Sequence, residues 1–240
     1  MQRIIYIILF ISFFIINQSG QTSEIALWHA DGNAQDSTGT NHGSLKNGAS
    51  FTSGKFGDGF QLDGIDDYVS ITSQDLPLST ESRSISIWFK TSQTNKEMYM
   101  LAYGSVVSAG AFAFGILSGN LMITQCGQNL NAGFVADNQF HHGVVTFSAN
   151  SYRLYVDGSL VGTKTMSTNT QSNPAAFIGR AATGAYFQGV LDEITVFDYT
   201  LSAGEVGTLY NTIPIQIPES SSISMFSLTI LFAFFLRKLW

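Results

Sequence analysis

The sequence predicts an all-β protein, two antiparallel sheets packed as a jelly-roll sandwich, flanked by an N-terminal signal peptide and a short C-terminal transmembrane helix. Three observations carry this reading. Short runs of alternating apolar and polar residues, cut by glycine, succeed one another from residue 23 to residue 211. Only one convincing helix signal interrupts them. The excess of apolar residues is confined to the two ends: 13 fall in residues 1–20 and 13 in 218–240. Many short strands with frequent turns and almost no helix suit a two-sheet sandwich or jelly roll.

The elements follow in order. Residues 1–20 open with Met1-Gln2-Arg3, continue through residues 4–16, of which 12 are apolar, and end in Asn17-Gln18-Ser19-Gly20. A basic head, a short apolar stretch and a small-residue exit describe a secretory signal peptide, cut after Ser19 or Gly20. An uncleaved anchor is the alternative. Within the body, Ile85-Ser86-Ile87-Trp88-Phe89-Lys90 alternates, as does Tyr152-Arg153-Leu154-Tyr155-Val156. The latter runs through Asp157-Gly158 into Ser159-Leu160-Val161, a hairpin signal because glycine accepts the positive φ of a tight turn. Further strands are expected at 68–71, 98–103, 111–117, 121–126, 144–148, 176–179 and 190–197. Ser202-Ala203-Gly204-Glu205 has the spacing of a capping box, and Val206, Leu209 and Tyr210 give the helix after it an apolar face.

The domain is therefore expected over residues 21–211, followed by a linker at 212–222 and an anchor or sorting helix at 223–240. Of residues 223–236, 11 are apolar, and Arg237-Lys238 follow. At 1.5 Å per residue this run spans about 21 Å, short of a hydrocarbon core of about 30 Å. The basic end would stay cytoplasmic and leave the domain outside. The tail resembles the PEP-CTERM sorting signal of bacterial envelope proteins, with Pro218-Glu219-Ser220 in place of Pro-Glu-Pro. That resemblance implies processing by an exosortase-type membrane protease; a plain C-terminal anchor is the alternative.

Composition narrows the function classes. The chain has 240 residues, 45% hydrophobic and 12% charged, with a net charge of −6. Between the two tails 8 Lys/Arg face 16 Asp/Glu, a balance that repels nucleic-acid backbones. Cys126 is the only cysteine, so no disulfide forms within the chain.

Six phrases in order resemble the laminin-G-like, concanavalin A-like jelly-roll family over roughly residues 24–211. They are Leu27-Trp28-His29-Ala30-Asp31-Gly32 with Asp36-Ser37-Thr38-Gly39, the run from Gly54-Lys55-Phe56-Gly57-Asp58-Gly59 to Asp66-Asp67-Tyr68-Val69, the alternating run at Ile85, Leu154-Tyr155-Val156-Asp157-Gly158, Phe177-Ile178-Gly179-Arg180, and the close from Phe187-Gln188-Gly189-Val190-Leu191-Asp192-Glu193 to Leu201-Ser202-Ala203-Gly204-Glu205-Val206. Phe140, before His141-His142, stands where the family usually has tryptophan.

The resemblance implies a structural calcium held by Asp31 and Asp192, placed side by side by the fold, since calcium takes 6–8 oxygen ligands. The alternative is that Asp31 makes a turn and Asp192 caps a strand edge. His29 is read as packing. Asp58, Asp63, Asp66 and Asp67 lack EF-hand spacing, and Asp63–Asp67 is read as a turn. Glucanases of this fold carry a Glu-x-Asp pair on one strand face. No Glu here has an Asp two positions on, and the adjacent Asp192 and Glu193 would point to opposite faces of a strand. His141 and His142 would likewise divide, one in and one out. No catalytic residue is expected. Tyr186 and Phe187, after the Ala181-Ala182-Thr183-Gly184 loop, are the first candidates for ligand stacking. The expected function is a non-catalytic binding or adhesion module of the bacterial envelope or its extracellular matrix, recognising a polysaccharide or a surface protein. The alternatives are a purely structural envelope protein and a glycoside hydrolase.

Overall fold

The computed structural model describes residues 23–125, 127–172 and 176–212. The expected signal peptide, the Pro218-Glu219-Ser220 motif, the 223–240 helix and Cys126 all lie outside the described residues. By internal packing the chain divides into two units, Met1–Tyr210 and Asn211–Trp240, and the sandwich belongs to the first. Among the described residues no helix is long and apolar enough to cross a membrane.

In chain order the strands are β1 (Glu24–Trp28), β2 (Ser44–Lys46), β3 (Ser50–Ser53), β4 (Asp58–Asp63), β5 (Tyr68–Ile71), β6 (Arg83–Lys90), β7 (Glu97–Gly104), β8 (Ala111–Leu117), β9 (Asn120–Thr124), β10 (Asn129–Phe134), β11 (Phe140–Ser148), β12 (Ser151–Val156), β13 (Ser159–Thr165), β14 (Ala176–Ile178) and β15 (Gln188–Phe197), followed by helix α1 (Ala203–Asn211). Two antiparallel sheets form the sandwich. The eight-stranded sheet runs β13-β12-β11-β6-β15-β4-β3, with β1 also on β15, and the seven-stranded sheet runs β10-β9-β8-β7-β14-β5-β2.

Alternation decides what lies between the sheets. From the seven-stranded sheet Met98, Met100, Phe112, Phe114, Leu121 and Ile123 point inward, and Ile85, Ile87, Phe89, Val145, Phe147 and Leu191 meet them from the other. All twelve are fully buried, and each such side chain contributes about 1.5–3 kcal/mol on leaving water. Arg83, also fully buried, sits at one end of this core. Its guanidinium donates to the carbonyls of Pro77 (2.6 Å), Leu78 (2.9 Å), Ser79 (3.0 Å) and Glu81 (2.9 Å), to Thr170 Oγ1 (3.0 Å) and to the Tyr103 hydroxyl (3.3 Å). All three of its nitrogens are satisfied without a carboxylate.

The local signals do what their chemistry requires. Asp157 and Gly158 take φ of 48° and 78°, the two positive values of a type I′ hairpin turn. The capping box closes reciprocally: Ser202 N–H donates to Glu205 Oε2 (2.8 Å) and Glu205 N–H to Ser202 Oγ (3.3 Å). Asp36 is buried and binds the start of the domain, its carboxylate accepting from the N–H groups of Leu27, Thr38, Gly39 and Asn41 at 3.0–3.1 Å. Burial alone would raise its pKa, but these donors hold it below the ordinary carboxylate value.

Helix α1 packs on the outer face of the eight-stranded sheet. Val206 is buried with Leu201 against Val144, Tyr155 and Phe197, and Tyr210 stacks on Trp88 with ring centroids 5.7 Å apart. Underneath, His142 Nε2 meets Ser86 Oγ at 2.7 Å. His142 is buried and His141 partly exposed, so the pair divides as strand alternation dictates. His141 turns to Asp157 Oδ2 (2.7 Å) and Asp137 Oδ1 (3.1 Å).

Candidate functional site

Two places collect the chemistry: an acidic junction on β15, and a cleft on the outer face of the seven-stranded sheet.

The junction arises because β15 is longer than either of its partners on one edge. Residues 188–191 pair with β4 and residues 194–197 with β1. Asp192 and Glu193 fall between, at a register shift against β6, and Glu193 has φ of 47°. A bulge of this kind breaks the two-residue alternation. Asp192 and Glu193 therefore do not lie in a regularly alternating stretch, and the negative charges of Glu193, Asp31 and Asp192 all favour the protonated imidazole of His29.

Asp192 is fully buried. Its Oδ2 accepts from the N–H groups of Lys55 (2.7 Å) and Phe56 (2.9 Å), and its Oδ1 from the N–H of Glu193 (2.8 Å). Asp31, at the end of β1, accepts from the N–H of Asp58 (2.8 Å). Asp31 and Asp192 thus converge on one five-residue turn, 54–58, between β3 and β4. Gly54 is required there, since a Cβ would lie 2.5 Å from Asp192 Oδ2 and 2.6 Å from the Asp58 carbonyl. Burial, with Glu193 adding to it, pushes the Asp192 carboxyl up to about 7. His29 is not simply packing. Its Nδ1 lies 3.0 Å from Glu193, and that hydrogen bond outweighs burial and holds the imidazole above its ordinary pKa. Asp192 and Glu193, both buried, and the half-buried Asp31 thus gather near one histidine, carboxylates of the hard-oxygen kind that calcium takes.

Among the described residues the one trio of acidic groups with ligand atoms within 4.8 Å of one another is Asp63, Asp66 and Asp67. Its carboxylates close a turn. Asp63 Oδ1 accepts from Ile65 N–H (2.8 Å) and Asp66 N–H (3.3 Å), and Asp67 accepts from Asp63 N–H (3.1 Å) and Gly48 N–H (2.6 Å). These are the backbone bonds expected of aspartates in a turn.

The cleft has a volume of about 280 Å³ and is lined by Glu97, Tyr99, Ala102, Ala113, Thr124, Phe177 and the loop residues Ala181, Ala182 and Thr183, among others. Its floor comes from pairing: Ala102 lies opposite Ala113 on β8 and opposite Phe177 on β14. Two alanines side by side on an outward sheet face leave a depression, and Tyr99 and the returning loop build its walls. Ala185 fastens the loop by accepting from Tyr99 N–H at 3.2 Å. The Tyr99 hydroxyl donates to Glu97.

Beside the cleft, Arg180 lies among three rings, 4.7 Å from the centroid of Tyr68, 4.5 Å from Phe177 and 5.3 Å from Tyr186. Tyr186, a suspected stacking residue, is half-buried; it gives a ring face to Arg180 and accepts from Arg180 Nη1 at 3.2 Å. Phe187, the other suspect, is fully buried in the main core and has no face left for a ligand; that expectation is corrected. The next residue along the strand direction points inward, so only one of the two reaches the surface. Sequence reasoning missed Ala102, Ala113, Phe177 and Arg180. The Phe177-Ile178-Gly179-Arg180 phrase was visible, but only as a mark of the fold.

A family model described as the concanavalin A-like lectin/glucanases superfamily, of laminin-G type, matches residues 63–207. No curated protein matches the chain. Among solved structures, domain 4 of a GH43 extracellular arabinanase from Geobacillus stearothermophilus, in complex with arabinotriose, superposes with a TM-score of 0.66 at 18% identity, over 79% of this chain and 98% of that one. The binding domain of Paraclostridial Mosquitocidal Protein 1 gives 0.65 at 16% identity, over 79% and 52%. A botulinum neurotoxin type C structure, tied in its description to interaction with two ganglioside molecules, gives 0.62 at 18%, over 79% and 51%. The chain thus spans nearly all of the arabinanase domain and about half of each toxin structure. With the family model covering more than half of the sequence and the sandwich formed as that family requires, the chain belongs to the concanavalin A-like lectin/glucanase superfamily.

Proposed function

We propose that this protein is an exported, non-catalytic glycan-binding module of the bacterial envelope or its extracellular matrix, and that the cleft on the outer face of the seven-stranded sheet is its sugar site. The observation that carries this is the cleft itself: about 280 Å³ of outward-facing space with an apolar floor, aromatic walls and a few polar groups at its rim, the usual make-up of a small-ligand site. Support comes from the arabinanase domain, which was solved with arabinotriose bound. Polysaccharide is favoured over a surface protein because the cleft is small and concave, where a protein interface is broad.

Calcium belongs to the same proposal. It would be held by Asp31 and Asp192, where it would neutralise the buried Asp192 carboxylate and tie the segment after β1 and the turn before β4 to β15. The absence of a Glu-x-Asp pair in the sequence supports a non-catalytic role. The C-terminal apolar run with its basic end supports membrane attachment, and Pro218-Glu219-Ser220 supports handling by an exosortase-type protease.

A glycan array probed with the full-length chain, with and without EDTA, tests both parts. Saturable binding to one group of oligosaccharides is expected, along with a melting temperature several degrees lower in EDTA. An ion present at 100 times its dissociation constant adds about 2.7 kcal/mol. An array on which nothing binds sinks the glycan reading. A melting temperature indifferent to EDTA and to added calcium sinks the metal.

A further inference from the structure

Two arginines of this domain, Arg83 and Arg180, are treated very differently by the fold. Arg83 has every nitrogen matched to an acceptor. Arg180 uses only two: Nε donates to the Ala181 carbonyl (3.0 Å) and Nη1 to the Tyr186 hydroxyl (3.2 Å). Among the described residues, no carboxylate lies within ion-pair distance of Arg180, and its Nη2 has no acceptor. Glu97, the carboxylate lining the neighbouring cleft, is engaged by Tyr99.

The guanidinium is nevertheless held in place. Three aromatic rings frame it at 4.5–5.3 Å, each such contact attracting a cation to the ring face. Phe177 and Ala181, two of its partners, are also part of the cleft wall. A charged, planar donor is thus fixed beside the cleft with part of its hydrogen-bonding edge open. Guanidinium matches the geometry of an oxyanion with two parallel N–H donors. Because the rings have already immobilised it, a ligand loses little side-chain entropy in meeting it. The chain as a whole is acidic, with a net charge of −6, so long-range attraction for polyanions is weak and discrimination falls to this one cation.

We propose that Arg180 is a specificity-determining residue of the cleft, which selects a sugar residue carrying an oxyanion, a uronate carboxylate or a sulfate ester. This rests on the glycan-binding reading of the same cleft. Both substituents present oxygens that Nη2 and Nη1 can serve, while the sugar ring lies toward the Ala102–Ala113 floor.

The test is calorimetric titration of the full-length chain with four probes: an oligogalacturonate, its methyl ester, a sulfated oligosaccharide and its desulfated counterpart. The charged member of at least one pair is expected to bind about tenfold or more tighter than its neutral twin, the range of a hydrogen bond to a charged group. Preference within the first pair identifies a uronate, and within the second a sulfate. R180Q should erase the preference, bringing the affinity of the charged member down to that of its neutral twin. R180K, which keeps the charge but not the fork, should retain part of it. Melting curves establish that both variants are folded; if R180Q unfolds, R180K carries the test alone. Equal affinity within both pairs, or a preference unchanged in R180Q or undiminished in R180K, overturns the role of Arg180 and leaves the glycan site standing. Failure of all four probes together with a silent glycan array removes the site itself and this inference with it.

Discussion

The two outer faces of the sandwich are built on the same pleat and finished in opposite ways. On the eight-stranded sheet large residues point outward, Trp88, Val144, Tyr155 and Phe197, and α1 is laid over them with Val206 and Tyr210. Its polar groups are matched across the seam: Ser84 Oγ donates to the Tyr199 carbonyl (2.8 Å) and accepts from Leu201 N–H (2.9 Å). On the seven-stranded sheet the outward positions at the centre are Ala102 and Ala113, and among the described residues loops rather than a helix approach them, the 181–185 loop among these. Large outward side chains demanded a cover and obtained one. Small ones left a volume, and the fold did not fill it. The lesson is that the closed face is part of the core, whereas the open face is where this domain can meet something else without losing stability.

The largest expected effect breaks the closed face. Helix α1 has nine residues, two of them glycine, and each glycine costs roughly 1 kcal/mol relative to alanine. Such a helix persists through packing and its cap. Val206→Asp would bury an unpaired charge in the seam and should cost about 3–5 kcal/mol, lowering the melting temperature by roughly 6–20 °C for a domain of this size. A shift under 2 °C would show that the helix does not seal this face.

Next comes pH. Burial under the helix pushes the His142 imidazole down to about 4, with Asp157 opposing the shift, and its Nδ1 has no hydrogen-bond partner. The folded state therefore resists a proton that the unfolded chain accepts near pH 6.5. Stability from this group is complete above pH 6.5, falls as pH drops from 6.5 to about 4, and then levels off. The loss is on the order of 3 kcal/mol. Asp192, whose raised pKa adds stability as pH falls through about 7, acts in the opposite sense, so the His142 slope is read as the difference between denaturant midpoints of the native chain and of His142→Gln from pH 7.5 to 4. A slope of equal size in the variant would assign it elsewhere.

How much of this was legible in the sequence follows the same division. Signals that act over a few residues were readable: the Asp157-Gly158 turn, the Ser202–Glu205 box, and strands β5 and β8 with their boundaries. Strands β2, β3 and β10 were not, because they are short or at sheet edges, are half-exposed, and lack the apolar alternation that marks a buried face. The site was less legible still. The floor of the cleft depends on Ala102 meeting Ala113 and Phe177, a register set between three strands from distant parts of the chain. The junction at Asp192 and Glu193 depends on a bulge, which breaks the strand alternation expected there. Nothing local in Leu191-Asp192-Glu193-Ile194 announces the positive φ at Glu193.

A smaller effect comes from the helix cap. Ser202→Ala removes the acceptor for Glu205 N–H and should cost about 1 kcal/mol, a shift of roughly 2–4 °C. That is several times less than the Val206 change, because the cap is exposed and water replaces part of the lost bond.

The smallest stability effect is expected on the open face, where the comparison is most exposed to failure. Ala113→Leu adds three carbons at the floor of the cleft. Ala113 is itself buried, but the space in front of it belongs to the open cleft, so the added side chain need not displace core atoms, and the melting temperature should move by no more than about 2 °C. The same substitution should take up part of the 280 Å³ at its floor and reduce sugar affinity at least tenfold, measured by titration with whichever oligosaccharide the array selects. Binding and stability would then separate at one position, as they cannot at Val206. If Ala113→Leu destabilised the protein by 3 kcal/mol, the open face would prove to be packed after all and the two faces alike. If it left both stability and affinity unchanged, the cleft would be surplus space and the sugar would have to bind elsewhere on the domain.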